Sequence, residues 1–320
     1  LGAKVYGYAL DPPTNPSLFK IANVFNVLEK STIADVRDYP TLRSEIKKVN
    51  PTIIFHLAAQ PLVRESYKVP MDTYSVNVIG TVNILEAARS IDALGALVNV
   101  TTDKVYENKE WFWGYRENEP LGGYDPYSSS KACSEIVTSA YRNSFFNKKK
   151  LASGRAGNVI GGGDWATDRL IPDIIRTFID KKILVIRNPK SIRPWQHVLE
   201  PLAGYMILAQ KIFESKGLEY SDSFNFGPDE QDARSVEYIV KKIVSLWPEK
   251  ISYEIQQNSY YHEANYLRLD NSKAKSLLGL FPRWDINTAL VQITDWTTSY
   301  IQKENLLEKC IKQIQDYSTK

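Results

Sequence analysis

The residues best placed to do chemistry are Tyr127 and Lys131, in the run Tyr127-Ser128-Ser129-Ser130-Lys131. Four positions apart on a helix, the phenol and the ammonium share one face. A free phenol titrates near pH 10 and is a poor base at neutrality, whereas a nearby cation favours the phenolate. Lowering it by about three units asks for roughly 4 kcal/mol, within reach of a close lysine joined by a second positive charge. Such a base takes the proton of a hydroxyl. Tyr238 and Lys242 repeat the spacing and read as a helix surface.

Context separates the two pairs. Shortly before Tyr127, the run Val98-Asn99-Val100-Thr101-Thr102-Asp103-Lys104 is an apolar strand ending in hydroxyls and opposite charges. Thr102 can hydrogen-bond an attacking or departing hydroxyl, Asp103 can deliver a proton, and Lys104 can accept or relay one. A lysine removes a proton only when neutral, so burial or nearby positive charge must lower its pKa. Neighbours on an extended strand point to opposite faces, so Asp103 and Lys104 need not touch unless the chain has already turned. Glu107 is an outside candidate for the base.

These residues need a scaffold, and hydrophobic patterning predicts an α/β one. Val5–Leu10, Val24–Leu28, Thr52–Leu57, Ala96–Thr101 and Leu151–Ala156 read as strands. Tyr39–Val49, residues 71–91 and Pro126–Phe146 read as helices, the second with Val76, Ile79, Val82, Ile84, Leu85 and Ala88 on its apolar face. Continuous apolar strands alternating with amphipathic helices predict a doubly wound parallel sheet covered on both faces. Ligands then sit at the carboxyl ends of the strands. Further on, Gly161-Gly162-Gly163-Asp164-Trp165 reads as a loop, Ile183–Ile186 and Ser223–Phe226 as strands. Arg169–Asp180, Glu200–Phe213, Val236–Leu246 and segments from Ile286 onward read as helices. Lys148-Lys149-Lys150 reads as a solvated helix end.

Composition excludes several classes. Among 320 residues, 40 basic against 37 acidic leave +3, too slight for an electrostatic nucleic-acid binder. Hydrophobic residues at 43% and charged residues at 24% exclude a disordered or fibrous chain. Cys133 and Cys310, with His56, His197 and His262, are too scattered for a metal site or a disulfide framework. No stretch approaches the roughly 18 uncharged apolar residues of a membrane span, and no secretory pattern is present, so a cytoplasmic protein is expected. Leu1-Gly2-Ala3-Lys4 reads as the stop of a helix leading into a strand, and the first methionine is Met71. An upstream strand and helix are therefore expected to be missing from this sequence.

Several motifs in order carry a resemblance. Asp35-Val36-Arg37-Asp38, His56-Leu57-Ala58-Ala59-Gln60, Asn77 with Gly80-Thr81-Val82-Asn83, and the Tyr127/Lys131 pair resemble the extended short-chain dehydrogenase/reductases that act on nucleotide sugars. Thr102-Asp103-Lys104-Val105-Tyr106 is similar to an element of the nucleotide-sugar 4,6-dehydratases, with Lys104 where many members carry Glu. Together with Gly161–Trp165 and Arg193-Pro194-Trp195-Gln196-His197, it looks most like the CDP-glucose 4,6-dehydratase branch.

The resemblance implies a Rossmann-like fold with a smaller α/β substrate domain. Residues 1–160, 195–221 and a helix near 290–313 would bind NAD, and residues 161–194 and 222–289 the nucleotide sugar. It implies dehydration of CDP-glucose to the 4-dehydro-6-deoxy sugar, a deoxysugar precursor of the lipopolysaccharide kind, with hydride moved from C4 to C6. Tyr127 and Lys131 would act at C4, Asp103 at the C6 hydroxyl and Lys104 at C5, with Thr102 beside them. NAD would meet Asp35, Val36, Leu57, Ala58, Ala59, Gln60, Asn77, Thr102, Tyr127 and Lys131, while the Gly-rich pyrophosphate turn would lie upstream. Asp11 either bonds the adenosine ribose, favouring NAD over NADP, or forms a plain Asp11-Pro12-Pro13 turn. Asn158, Arg169, Leu170, Arg187, Arg193 and Asn225 would meet the nucleotide sugar, and Trp195 is either ligand or core. No metal is implied. A homodimer or dimer of dimers, joined through helices 71–91 and 126–147, is implied as well. A nucleotide-sugar 4-epimerase, a dehydratase for dTDP-glucose or GDP-mannose, and a non-enzymatic dinucleotide sensor are the competing readings.

Overall fold

The computed structural model describes residues 2–147, 150–186, 188–215, 219–247, 249, 252–255 and 266–319. Strands and helices alternate as β1 (Tyr6–Ala9), α1 (Leu18–Ile21), β2 (Lys30–Ile33), α2 (Tyr39–Val49), β3 (Ile53–His56), α3 (Val63–Lys68), α4 (Pro70–Tyr74), α5 (Gly80–Ala88), β4 (Ala96–Thr102), α6 (Pro126–Ser144) and β5 (Leu151–Ala156). A π-helical turn over Ser75–Ile79 joins α4 to α5 in one continuous helix, as the periodicity of 71–91 predicts. The second half adds β6 (Asn158–Ile160), α7 (Leu170–Ile179), β7 (Leu184–Ile186), β8 (Ile192–His197), α8 (Leu199–Glu214), β9 (Ser223–Phe226), β10 (Ala233–Ser235), α9 (Val236–Leu246), β11 (Tyr253–Ile255), α10 (Ser272–Leu278), α11 (Ile286–Ile301) and α12 (Leu306–Ser318).

The expected α/β parallel sheet is present, in the order β3-β4-β5-β9. Alternation along β4 serves both faces: Leu97 packs with Leu85, Ile84 and Leu151, and Ala96 and Val98 pack with Tyr205, Leu208 and Ile212 of α8. β1 and β2 form a separate parallel pair, with Tyr6 opposite Lys30. Among the described residues, β1 and β3 each pair along one edge only. The Val24–Leu28 run is not the strand its residues suggest. Asn23 takes a left-handed turn at φ 48°, Val24–Val27 coils into a 3-10 turn, and Lys30–Ile33 becomes the strand instead. The turn leaves Phe25 and Val27 half-exposed, so apolar content there follows no buried sheet face.

A second core gathers Ile171 and Ile174 of α7, Ile239 and Ile243 of α9, and Leu290, Ile293 and Trp296 of α11. The expected helix near 290–313 is two helices, α11 and α12, and α11 packs on α7 and α9. Beside this core, β8 pairs with β10 on one edge and with β6 on the other. No helix among the described residues is long and apolar enough to cross a membrane. Among the same residues, no group of three or more His, Cys, Asp or Glu is placed to hold a metal.

One glycine lets α8 approach the main sheet. A Cβ on Gly154 of β5 would lie 2.7 Å from Tyr205 and 2.9 Å from Phe226. Gly154→Ala therefore overpacks this layer, and urea denaturation should show a loss of about 1–3 kcal/mol in unfolding free energy.

Candidate active site

The helix start aims Tyr127. Asp125 caps α6, its carboxylate accepting from Ser128 N at 2.9 Å and Ser128 Oγ at 2.6 Å, and Pro126 opens the first turn. Tyr127 therefore sits at the sheet's carboxyl end with Lys131 one turn deeper. At the end of β4 the chain has already turned. Thr102 Oγ1 accepts from Lys104 N at 3.4 Å, and Asp103–Val105 form a 3-10 turn. The same hydroxyl donates to Asp103 Oδ1 at 3.0 Å. Asp103 is 1% exposed, and its Oδ2 has no hydrogen-bond partner among the described residues. A buried carboxylate oxygen without a donor is an incomplete site.

These side chains share one cavity of about 970 Å³, lined by Thr102, Asp103, Lys104 and Tyr127 together with Asn158, Arg169, Leu170 and Arg193. Arg169 pairs with Asp164 at 2.9 Å, and Arg193 donates to the Ile192 carbonyl at 2.9 Å. Trp195 is both core and wall: its indole donates to the Arg234 carbonyl at 2.9 Å while it lines the cavity. Sequence reasoning missed Pro61–Arg64, Asp164 and Asp168 on the same wall. Asp164 follows three glycines, the one local signal that marks it out.

Asn225 was expected at the nucleotide sugar. It is fully buried outside the cavity wall, with Oδ1 accepting from Tyr106 at 2.7 Å and Nδ2 donating to the carbonyls of Tyr115 (2.8 Å) and Asp270 (3.1 Å). Its position in β9, opposite Arg155 of β5, ties that strand to Tyr106, Tyr115 and Asp270. Arg187 lies outside the described residues.

Of the residues expected at NAD, Thr102 and Tyr127 line this cavity, Asp11, Asp35, Val36 and Leu57–Gln60 follow β1, β2 and β3 outside its wall, and Asn77 and Lys131 lie on the neighbouring helices. Asp11 is exposed in a loop. Asp35 holds Arg37 through its backbone N–H at 2.8 Å and its guanidinium at 2.6 Å, and the guanidinium keeps the carboxyl below its usual range. Val36 is core, under Gly80, where a Cβ would lie 2.7 Å from it. Leu57 is exposed, and Ala58, Ala59 and Gln60 are half-buried. Asn77 accepts from Gln60 N at 2.8 Å and donates to Ser130 Oγ at 2.8 Å, tying the end of β3 to α6.

Burial pushes the Tyr127 phenol up to about 12, against a hydrogen bond with Thr102 and the field of Arg169 that pull it down. Lys131 is aimed elsewhere: its ammonium donates to the Val100 carbonyl at 3.1 Å, and burial lowers it to about 8 against the nearby Glu135 charge. Burial likewise lowers His56 to about 3, and the Lys131 charge adds to the fall. A low-dielectric pocket thus holds a neutral phenol, a weakly held ammonium proton and an unpartnered carboxylate oxygen at one strand end.

Residues 17–293 match the family described as GDP-mannose 4,6 dehydratase. Over 324 residues the chain is 53% identical to the CDP-glucose 4,6-dehydratase of Salmonella typhimurium, covering 99% of this chain and 90% of that relative. It superposes on the UDP-glucose 4-epimerase of Thermotoga maritima, solved with UDP-glucose, with a TM-score of 0.79, 16% identity and coverage of 94% and 92%. For the dTDP-glucose 4,6-dehydratase of Bacillus anthracis, solved in complex with NAD, the values are 0.76, 21%, 95% and 91%. Both superpositions speak to the fold. By the family match and the near full-length identity to a curated relative, this chain belongs to the GDP-mannose 4,6-dehydratase family.

Proposed function

We propose that the protein dehydrates CDP-glucose to CDP-4-dehydro-6-deoxyglucose with NAD as its resident hydride carrier. The observation that carries this reading is that Tyr127 and Asp103 line the same cavity, Asp103 with a buried oxygen that lacks a partner. The 53% identity to a CDP-glucose 4,6-dehydratase supports CDP-glucose as substrate. A nucleotide-sugar 4-epimerase has no use for an acid beside the departing C6 hydroxyl, so Asp103 favours the dehydratase.

The donor set fits a dinucleotide. An ammonium has three donors, and Lys131 uses one on the Val100 carbonyl, which leaves two for ribose hydroxyls. Tyr127, Lys131 and Thr102 would hold the nicotinamide end, and Asp35, Val36 and Leu57–Gln60 the adenine side. When bound, NAD accepts and returns the hydride and brings a positive charge that lowers the neighbouring phenol. Tyr127 then takes the C4 hydroxyl proton. Lys104 faces the cavity and removes the C5 proton, while Glu107 on the same wall is already paired with Lys109. Asp103 protonates the C6 hydroxyl through Oδ2 so that water leaves, and Thr102 fixes its other oxygen. Arg169 and Arg193, with Asn158 and Leu170, receive the nucleotide diphosphate and sugar, a task suited to guanidinium forks.

We assign the sheet β3-β4-β5-β9 with β1, β2 and their flanking helices to dinucleotide binding, and the core of α7, α9 and α11 to the substrate side. Free Cys133 and Cys310 suit a reducing cytoplasm. The exposed Met71, Tyr74 and Ile79, beside Ile136 of α6, support a homodimer built on these helices.

Incubation with CDP-glucose and NAD should yield the alkaline absorbance of a 4-keto sugar. Asp103→Asn and Tyr127→Phe should each lower kcat by about 10²–10⁴-fold. A signal with dTDP-glucose and none with CDP-glucose would retire the base assignment. In sedimentation velocity, the double variant Ile79→Glu/Ile136→Glu should run as a monomer at concentrations where the unaltered protein is dimeric, and an unchanged dimer would place the interface elsewhere.

A further inference from the structure

Beneath the reacting residues lies a buried ion pair that the reaction steps do not use. Glu135, one turn below Lys131 on α6, is 2% exposed, and its carboxylate meets Arg155 Nη2 of β5 at 3.0 Å. Three hydroxyls complete its shell: Thr101 of β4 at 2.5 Å, Ser153 of β5 at 2.7 Å and Ser223 of β9 at 3.2 Å. One helix residue is thus bonded to three neighbouring strands, and Thr101 immediately precedes Thr102 and Asp103. Arg155 reaches the other way. Its Nη1 donates to the Tyr106 hydroxyl at 2.8 Å, and Tyr106 closes the segment that begins at Asp103.

We propose that the Glu135–Arg155 pair is a positioning device that registers Tyr127 and Lys131 on α6 against Asp103 and Lys104 after β4, with the Glu135 carboxylate holding Lys131 as an ammonium. This rests on the dehydratase reading for its catalytic consequence, but not for the state of Lys131. A packing role alone would be filled as well by neutral groups, since a buried ion pair is often replaceable by neutral residues without loss of stability. What neutral groups do not supply is the negative charge one turn below a buried lysine. The charged and titratable groups facing this stretch are His56 from β3, Tyr74 from α4, Asp103 after β4, Arg155 from β5 and Tyr205 from α8, with Tyr127, Glu135 and Arg142 on α6 itself. Burial lowers Lys131, and Glu135 is the neighbour that opposes the fall.

The test is an NMR titration of cofactor-free protein carrying carbon-13 at the lysine ε-carbon, with the Lys131 signal assigned by its loss in Lys131→Arg. The unaltered protein should titrate near pH 8. Glu135→Gln should move the midpoint down by about one unit or more, because a full charge is removed from a low-dielectric site. Glu135→Asp keeps the charge and should leave the midpoint within a few tenths of a unit. The same variant withdraws the carboxylate from its donors and should lower kcat about tenfold or more, with KM within about twofold. Should Glu135→Gln fail to fold, Glu135→Gln/Arg155→Met removes the partner charge as well and should show a smaller downward shift, since Glu135 is the nearer charge to Lys131 along α6. An unmoved Lys131 midpoint in the folded neutral variants would overturn the proposal. Failure of the unaltered protein to turn over any nucleotide sugar would instead remove the dehydratase reading and leave the titration result standing.

Discussion

A helix bearing charged side chains can lie against an apolar sheet only if each buried charge finds a partner. Helix α6 meets that condition through Glu135 and Arg155, with hydroxyls from Thr101, Ser153 and Ser223 filling the remaining acceptor sites. Burial pushes the Glu135 carboxyl up, but the guanidinium and the hydroxyls outweigh it and leave the group below its ordinary range. The depth of α6 over β4 and β5 is set by these bonds. Everything carried on its first two turns inherits that position.

The result is a site in which burial does the tuning. Tyr127 and Lys131 are displaced in opposite directions by the same low-dielectric surroundings, the phenol toward its neutral acid and the lysine toward its neutral base. The rise of the phenol does not suit a resting base, and both groups respond to the charge of whatever enters. Asp103 sits differently: one oxygen is fixed by Thr102 and the other is buried without a donor. A hexose that brings a hydroxyl to that oxygen completes a bond the folded chain leaves open. The cavity is broad enough to take such a ring, and its wall also carries Arg169 and Arg193.

The strand-helix alternation was legible because its signals are local. Asp125-Pro126 marks the start of α6, and the i, i+4 spacing of Tyr127 and Lys131 follows from it. The apolar run before Thr102 marks a strand buried on both faces. Other features depend on tertiary partners and leave no local trace. β8 carries Ile192, Arg193, Pro194 and Trp195, a poor strand by pattern, yet it is held between β6 and β10. Asn225 has the composition of a ligand, but the sheet buries it and spends its polar atoms on Tyr106 and two carbonyls. The rise of the Tyr127 phenol was also beyond reach of spacing, because it reflects desolvation, with the charges of Asp103 and Asp125 adding to it.

On this reading a single cavity serves both the removal and the return of hydride on one hexose. CDP-glucose carrying deuterium at C4, turned over in ordinary water, tests it directly by proton NMR of the product. The account predicts deuterium in the C6 methyl group of a 4-keto-6-deoxy sugar. A product whose C6 carries only solvent hydrogen, or one that retains deuterium at C4, would contradict it.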